Sequence, residues 1–226
     1  MFLANLILLR HGQSLWNEKN IFNGWVDVPL SLKGILESLE AGAKIAHLPI
    51  DLVYTSSLVR AQMTAFLALS VHQSKKVPVL LHPGEDKKET WAHIFGEKAL
   101  ADTIPVIAAA ELNERMYGQL QGRDKEEMAA LYGKEQVHLW RRSFDCAPPE
   151  GESLKMTADR VLPFFRGTIL PKIQEGNKVF IAAHGNSLRS LLMEIEGLSS
   201  EEILHHEIAT GAPLFYRFDG ISFQNI

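Results

Sequence analysis

The chain has 226 residues, of which 46% are hydrophobic and 22% charged, with a formal net charge of -4 at pH 7. That length supports one substantial core, and the composition excludes disordered, collagen-like and coiled-coil classes. The acidic balance removes the electrostatic footprint of a general nucleic-acid binder, while leaving room for a local basic pocket.

The single cysteine, Cys146, allows neither an internal disulfide nor a thiolate zinc cluster, and it fits a reducing, cytoplasmic setting. No apolar run approaches the roughly 18 residues of a membrane span, so no membrane association is expected. The stretch Phe2 to Leu9 is apolar, but it lacks a basic leader and runs straight into Arg10 and His11. It reads as a buried strand from Ala4 to Leu9 and not as a signal peptide.

A helical pattern follows from about Ser31 to His47, then a strand from Asp51 to Tyr54. A second helix follows Ser57 as its N-cap, with Leu58, Ala61, Ala65 and Leu69 along one face. Between His72 and Thr103 the composition shifts. Lys75, Lys76, Glu85, Asp86, Lys87, Lys88 and Glu89 surround Pro83 and Gly84, which predicts a surface insertion around 73–104 with some structure of its own. A strand from Pro105 to Ala110 comes next, then helices over Lys125–Tyr132 and Lys134–Ser143 and a turn at Ala147–Ser153, marked by Pro148, Pro149 and Gly151. The chain continues with a helix over Ser153–Phe165, a strand over Lys178–Ala183 and a helix over Asn186–Glu196. The four strands are near-continuously apolar, as strands covered on both faces are. Their alternation with helices predicts an α/β fold: a three-layer, doubly wound, mostly parallel sheet with helices on both faces, forming a single catalytic domain over 1–226.

Each proposed strand ends in residues able to handle an anion. The first delivers Arg10, His11 and Gly12, the second Thr55, Ser56 and then Arg60, the third Glu111 to Glu114, and the fourth His184, Gly185 and Asn186. The carboxyl ends of parallel strands line one edge of such a sheet, where ligands bind. His11 is the natural nucleophile: a neutral imidazole can form a phosphoramidate while its other nitrogen donates to a carbonyl and fixes the tautomer. Gly12 removes bulk beside it. Arg10 and Arg60 offer planar forks for phosphoryl oxygens, His184 adds a second donor if protonated, and Glu114 is the candidate general acid/base.

The strings LLRHGQSLWN, FNGWVDVPLSLKG, YTSSLVRA, LNERMYGQLQG, WRR and AAHGNSLR, in that order over most of Leu6 to Ala212, resemble the cofactor-dependent phosphoglycerate mutases of the histidine phosphatase superfamily. The resemblance implies an isomerase of glycolysis and gluconeogenesis that interconverts 2-phosphoglycerate and 3-phosphoglycerate. It would be primed by 2,3-bisphosphoglycerate, need no metal, and act as a monomer or homodimer on small phosphoglycerates. It implies that His11 carries the phosphoryl group, Glu114 moves the proton and His184 stabilises the transition state. Arg10, Asn17, Arg60, Gly185 and Asn186 would line the phosphoryl site, while Asn23, Gly24, Tyr117, Lys125, Arg141 and Arg142 would hold the rest of the substrate.

Blander readings compete for several of these residues. Arg141 and Arg142 could be a solvated helix face pairing with Glu135 or Asp145. Lys125 could be an exposed helix start, Tyr117 a packing residue, and Glu114 the ion partner of Arg115. His205 and His206 have no accompanying metal-ligand spacing. Within the family pattern, Gln13 replaces a frequent glutamate and Asn23 a serine or threonine, which predicts altered tuning without a change of reaction class. The 72–108 segment is longer than usual, the 144–153 stretch is shorter, and the tail that helps close the site in many members is not found after Ile226. A phosphatase using the same phosphohistidine, and a phospho-ligand binding module without turnover, are the competing functions.

Overall fold

The computed structural model describes residues 5–84 and 86–226. Ala4, where the first strand is expected to start, and Glu85 of the charged segment lie outside the described residues. In chain order the elements are β1 (Leu6–Arg10), α1 (Leu15–Glu18), α2 (Leu32–Ile45), β2 (Leu52–Ser56), α3 (Val59–Ser70), β3 (Val77–Leu81), α4 (Asp86–Trp91), α5 (Glu97–Ala101) and β4 (Thr103–Ala109). Next come α6 (Lys125–Tyr132), α7 (Lys134–Arg142), α8 (Leu154–Phe164), α9 (Leu170–Gln174), β5 (Val179–Ala183), α10 (Gly185–Glu196), α11 (Glu202–His205), β6 (Pro213–Phe218) and β7 (Phe223–Asn225).

The sheet runs β3-β4-β2-β5-β1-β6-β7. Pairing is parallel from β3 through β1 and antiparallel from β1 to β6 to β7. Alternate residues of the central strands feed two separate cores. Leu6, Leu8, Tyr54, Val179, Ile181 and Ala183 pack with α8 and α10, whereas Ile7, Leu9, Val53, Phe180 and Ala182 pack with α2 and α3. Near-continuous apolarity therefore reflects a sheet covered on both faces, and each large aliphatic side chain buried there contributes about 1.5–3 kcal/mol. The expected three-layer, mostly parallel α/β fold is the one observed.

Three strands go beyond the sequence reading. Strand β3 forms a sheet edge inside the 73–104 segment, where Pro78 interrupts the pattern and both end residues are exposed. Strands β6 and β7 close the opposite side as an antiparallel pair, β6 half-buried except for the core residue Tyr216 and β7 exposed at Gln224 and Asn225. Edge strands lack the doubly buried apolar run that marks the central ones.

The second helix also starts later than expected. Leu58, not Ser57, is the residue before its first turn, and it makes no side-chain cap. Ser57 is drawn away by Asn113, whose Oδ1 accepts from both its backbone N–H and its Oγ, each at 2.9 Å.

A small third core of Phe22, Leu120, Met128, Val137 and Trp140 seats α6 and α7 near the carboxyl edge of the sheet. The register aligns Arg10 with Ala183 and Ser56 with Ala109, so the loops carrying His11, Ser57, Ala110 and His184 leave the sheet at one level.

Candidate active site

Strand register is what brings the two imidazoles together. His11 and His184 each follow the last residue of adjacent parallel strands, and their ring centroids lie 4.8 Å apart at an interplanar angle of 61°. His11 Nδ1 is 2.6 Å from the Gly12 carbonyl, so this nitrogen donates and the lone pair rests on Nε2. Gly12 is required for a reason other than space beside His11: a Cβ there would meet the Gly34 carbonyl oxygen of α2 at 2.3 Å.

Both histidines are buried, and both have pKa values held well below the usual imidazole value. Burial is the main cause for each, followed by the positive charge of Arg60. Such a shift favours a neutral His184 ring, so the condition attached to its role as a second donor, protonation, is opposed by burial and by the neighbouring cations. Its Nε2 lies 2.7 Å from Ser56 Oγ, and its Nδ1 has no protein partner.

Glu114 reaches the same edge from the loop after β4. Its Oε1 accepts from the Asn186 backbone N–H at 3.2 Å, from Asn186 Nδ2 at 2.8 Å and from its neighbour's N–H, that of Arg115, at 2.7 Å. The alternative ion pair with Arg115 is not formed. The Arg115 guanidinium instead lies over the Tyr117 ring and donates to Tyr117 Oη and the Arg141 carbonyl, both at 3.0 Å. Tyr117 also packs on Phe22 at 5.1 Å, so it both packs and lines the cavity.

Arg60 is fully buried at the start of α3, donating to the carbonyls of Gly24 at 2.7 Å and Val26 at 3.0 Å. Burial lowers its pKa to about 10, and the charges of Glu114 and Asp27 resist that shift. Arg60 thereby fixes the 23–27 loop as well as facing the cavity. Gly24 itself has φ +51°, a left-handed conformation that favours glycine. Arg10 donates to the Ile208 carbonyl at 2.7 Å. The Nε atoms of Arg10 and Arg60 are buried without a protein partner.

At the far wall, Asp124 caps α6 by accepting from the N–H groups of Glu126 and Glu127. The cap sets Lys125 at the first helical position, half-buried, with Nζ 5.8 Å from the centre of the Phe22 ring. Burial and the nearby Arg141 and Arg10 lower its pKa to about 8 against the opposing charge of Asp124, so it is not an exposed helix start. Arg141 and Arg142 end α7, where cations suit the helix dipole. Arg142 pairs with Glu207 at 2.7 Å, and not with the neighbours Glu135 or Asp145.

One cavity is lined by Arg10, His11, Asn17, Asn23, Gly24, Arg60, Glu114, Tyr117, Lys125, Arg141, Arg142, Gly185 and Asn186. Of the candidate catalytic and substrate-binding residues named from the sequence, His184 alone does not line it, being fully enclosed beside His11. Asn17 doubles as part of the capping box of α1 with Ser14, and Asn23 Oδ1 accepts from Ser14 Oγ at 2.8 Å. Gln13 faces the start of α2, accepting from Ser31 Oγ at 2.9 Å.

The cavity also contains Ile21, Phe22, Arg189 and Glu207, which sequence reasoning passed over. Phe22 and Arg189 lie within quoted motif blocks, whereas no local pattern marks Glu207. Among the described residues, no group of three or more His, Cys, Asp or Glu side chains is placed to hold a metal ion.

The profile of the Histidine phosphatase superfamily (branch 1) matches residues 6–84 and 88–223. The chain is 60% identical over 217 residues to the 2,3-bisphosphoglycerate-dependent phosphoglycerate mutase of Protochlamydia amoebophila, covering 96% of each. It is 53% identical to the protein of that name in Chlamydia trachomatis serovar L2b, over 96% of this chain and 95% of the relative. With 2,3-bisphosphoglycerate-dependent phosphoglycerate mutase 2 of Arabidopsis thaliana it shares 56% identity over 95% of this chain, spanning 65% of the longer plant protein. Solved structures of phosphoglycerate mutase from Bacillus anthracis (TM-score 0.71, 17% identity, 98% of this chain and 90% of that one) and alpha-ribazole phosphatase from Shigella flexneri (0.72, 22%, 98% and 94%) share the fold.

Proposed function

The chain belongs to the histidine phosphatase superfamily, and on that premise we propose that it is a 2,3-bisphosphoglycerate-dependent phosphoglycerate mutase, interconverting 2-phosphoglycerate and 3-phosphoglycerate through a phosphohistidine in glycolysis and gluconeogenesis. The single observation that carries the reading is His11: a buried, neutral imidazole with Nδ1 committed to Gly12 and Nε2 left as the nucleophilic lone pair, in a cavity walled by arginine and lysine.

The ligand's charge calls for those cations. Phosphoglycerate carries roughly three negative charges near neutral pH. The buried Nε–H groups of Arg10 and Arg60 have no protein acceptor, and leaving such donors unmet is costly unless an anion meets them. These residues fit 2,3-bisphosphoglycerate, which when bound supplies the phosphoryl group that charges the enzyme.

In this reading His11 Nε2 forms the N–P bond as the P–O bond to the departing oxygen breaks, and Glu114 gives that oxygen its proton. In the second half Glu114 takes a proton from the accepting hydroxyl while the N–P bond breaks. Arg10 and Arg60 neutralise the charge on the transferring group. His184 Nε2 and Ser56 Oγ hold each other at 2.7 Å, which fixes the His184 ring beside His11, where it stabilises the transferring phosphoryl group. Asn17, Gly185 and Asn186 complete that subsite. Asn23, Gly24, Tyr117, Lys125, Arg141 and Arg142 receive the remainder of the substrate.

We read residues 1–226 as one catalytic domain, working without a metal in the cytoplasm as a monomer or homodimer. Among the described residues no helix is long and apolar enough to cross a membrane.

The test supplies 3-phosphoglycerate with a trace of 2,3-bisphosphoglycerate. Formation of 2-phosphoglycerate without matching phosphate release is expected, and release without 2-phosphoglycerate would reject the mutase in favour of a phosphatase. Mass spectrometry should find the phosphoryl group on His11, and His11→Ala should abolish it.

A further inference from the structure

Two carboxylates line the catalytic cavity, Glu114 and Glu207, against the cations Arg10, Arg60, Lys125, Arg141, Arg142 and Arg189. Glu114 has a part in proton transfer, whereas Glu207 has none. Its Oε1 lies 2.7 Å from Arg142 Nη1 and its Oε2 3.4 Å from Arg189 Nη2. A carboxylate shared between two guanidinium groups is the arrangement that a bound ligand's carboxylate would itself adopt.

The backbone on either side of Glu207 is pinned. The His206 carbonyl accepts from Arg189 Nε at 3.0 Å, and the Ile208 carbonyl accepts from Arg10 Nη1 at 2.7 Å. The side chain between these anchors is 64% exposed. An ion pair so open to water is held weakly, so the carboxylate can swing into solvent without disturbing the segment. Arg189 is buried and Arg142 half-buried, hence Arg189 loses much of its hydration, Arg142 part of it, and both gain from an anion.

We propose that Glu207 is an internal counter-anion of the Arg142–Arg189 pair, occupying it in the free protein and yielding it to the carboxylate of the substrate. This rests on the mutase reading above. A mutase must let its doubly phosphorylated intermediate turn round between half-reactions, and a wholly cationic pocket would bind that polyanion too firmly. Glu207 sets the affinity by competing for two of the cations.

The test compares the unaltered protein with Glu207→Gln and Glu207→Asp by calorimetric titration with 3-phosphoglycerate, and with glycerol 3-phosphate as a probe lacking the carboxylate. Glu207→Gln should tighten 3-phosphoglycerate binding by about threefold or more, Glu207→Asp should fall between, and glycerol 3-phosphate should change less. Melting curves should be unchanged, since the side chain is mostly in water. An unchanged or weakened 3-phosphoglycerate affinity in Glu207→Gln would overturn the proposal, as would equal tightening of both ligands. Failure of the unaltered protein to convert 3-phosphoglycerate would instead sink the mutase reading, whereas a flat titration series with intact turnover sinks only the role of Glu207.

Discussion

The indole Nε1–H of Trp25 donates to the main-chain carbonyl of Glu114 at 2.5 Å, and the same oxygen accepts from Arg160 Nη2 at 2.9 Å. The loop over the cavity and the candidate proton carrier are therefore joined through one acceptor. Arg160 lies over the Trp25 ring at 5.4 Å, holds the Glu111 carbonyl at 2.7 Å and forks onto Glu152. Trp25→Phe keeps the ring and loses the donor, with Arg160 still satisfying the acceptor. The expected cost is about 1 kcal/mol, or roughly fivefold in kcat/KM, measured by steady-state assay. Unaltered kinetics would mean that the loop does not steer Glu114.

Arg60→Lys should be far more damaging than its conserved charge suggests. One ammonium cannot reach the Gly24 and Val26 carbonyls and also present a flat fork to a phosphoryl group. A loss of about 2–3 kcal/mol in kcat/KM is expected, accompanied by a lower urea midpoint because the loop is released. A variant with intact stability and activity would show that the fork is dispensable.

The Lys125 pKa of about 8 gives the free enzyme an alkaline limb. On the proposed role of Lys125, the charged ammonium holds the anionic substrate below that pH; above it the charge is lost and kcat/KM should decline. In Lys125→Arg the group stays charged, so the limb should move well to higher pH. A limb that stays in place in this variant would assign it to another group.

The buried histidines give the fold an acid sensitivity of defined sign. Both have folded pKa values below the unfolded one, so the unfolded chain binds more protons, and stability is complete above about pH 6.5 and falls as the pH drops below it. Melting temperatures followed downward from pH 7 should show this decline, and it should be shallower in His184→Gln. Identical slopes in both proteins would remove His184 from the account.

Much of this site is legible in the sequence because its chemistry sits directly after strands. His11 and His184 are named by the ends of two apolar runs, and the parallel pairing that unites them is what doubly buried strands require. Lys125 and Arg142 show the boundary of that legibility. Flanking acidic residues suggest a solvated lysine, but the packing of α6 against Phe22 half-buries it. Nearby residues suggest Glu135 or Asp145 as partners for Arg142, but the partner is Glu207, 65 positions away (207 minus 142).

The sequence by itself determined the layered α/β architecture, the candidate nucleophile, and most of the residues around the cavity, since strand burial and strand-end chemistry are local patterns. Tertiary structure alone decided the charge state of the paired imidazoles, the engagement of Arg60 with its loop, the reason for Gly12 and the presence of Glu207. Each of these depends on desolvation or on contacts between segments distant in the chain, and no local pattern encodes such proximity.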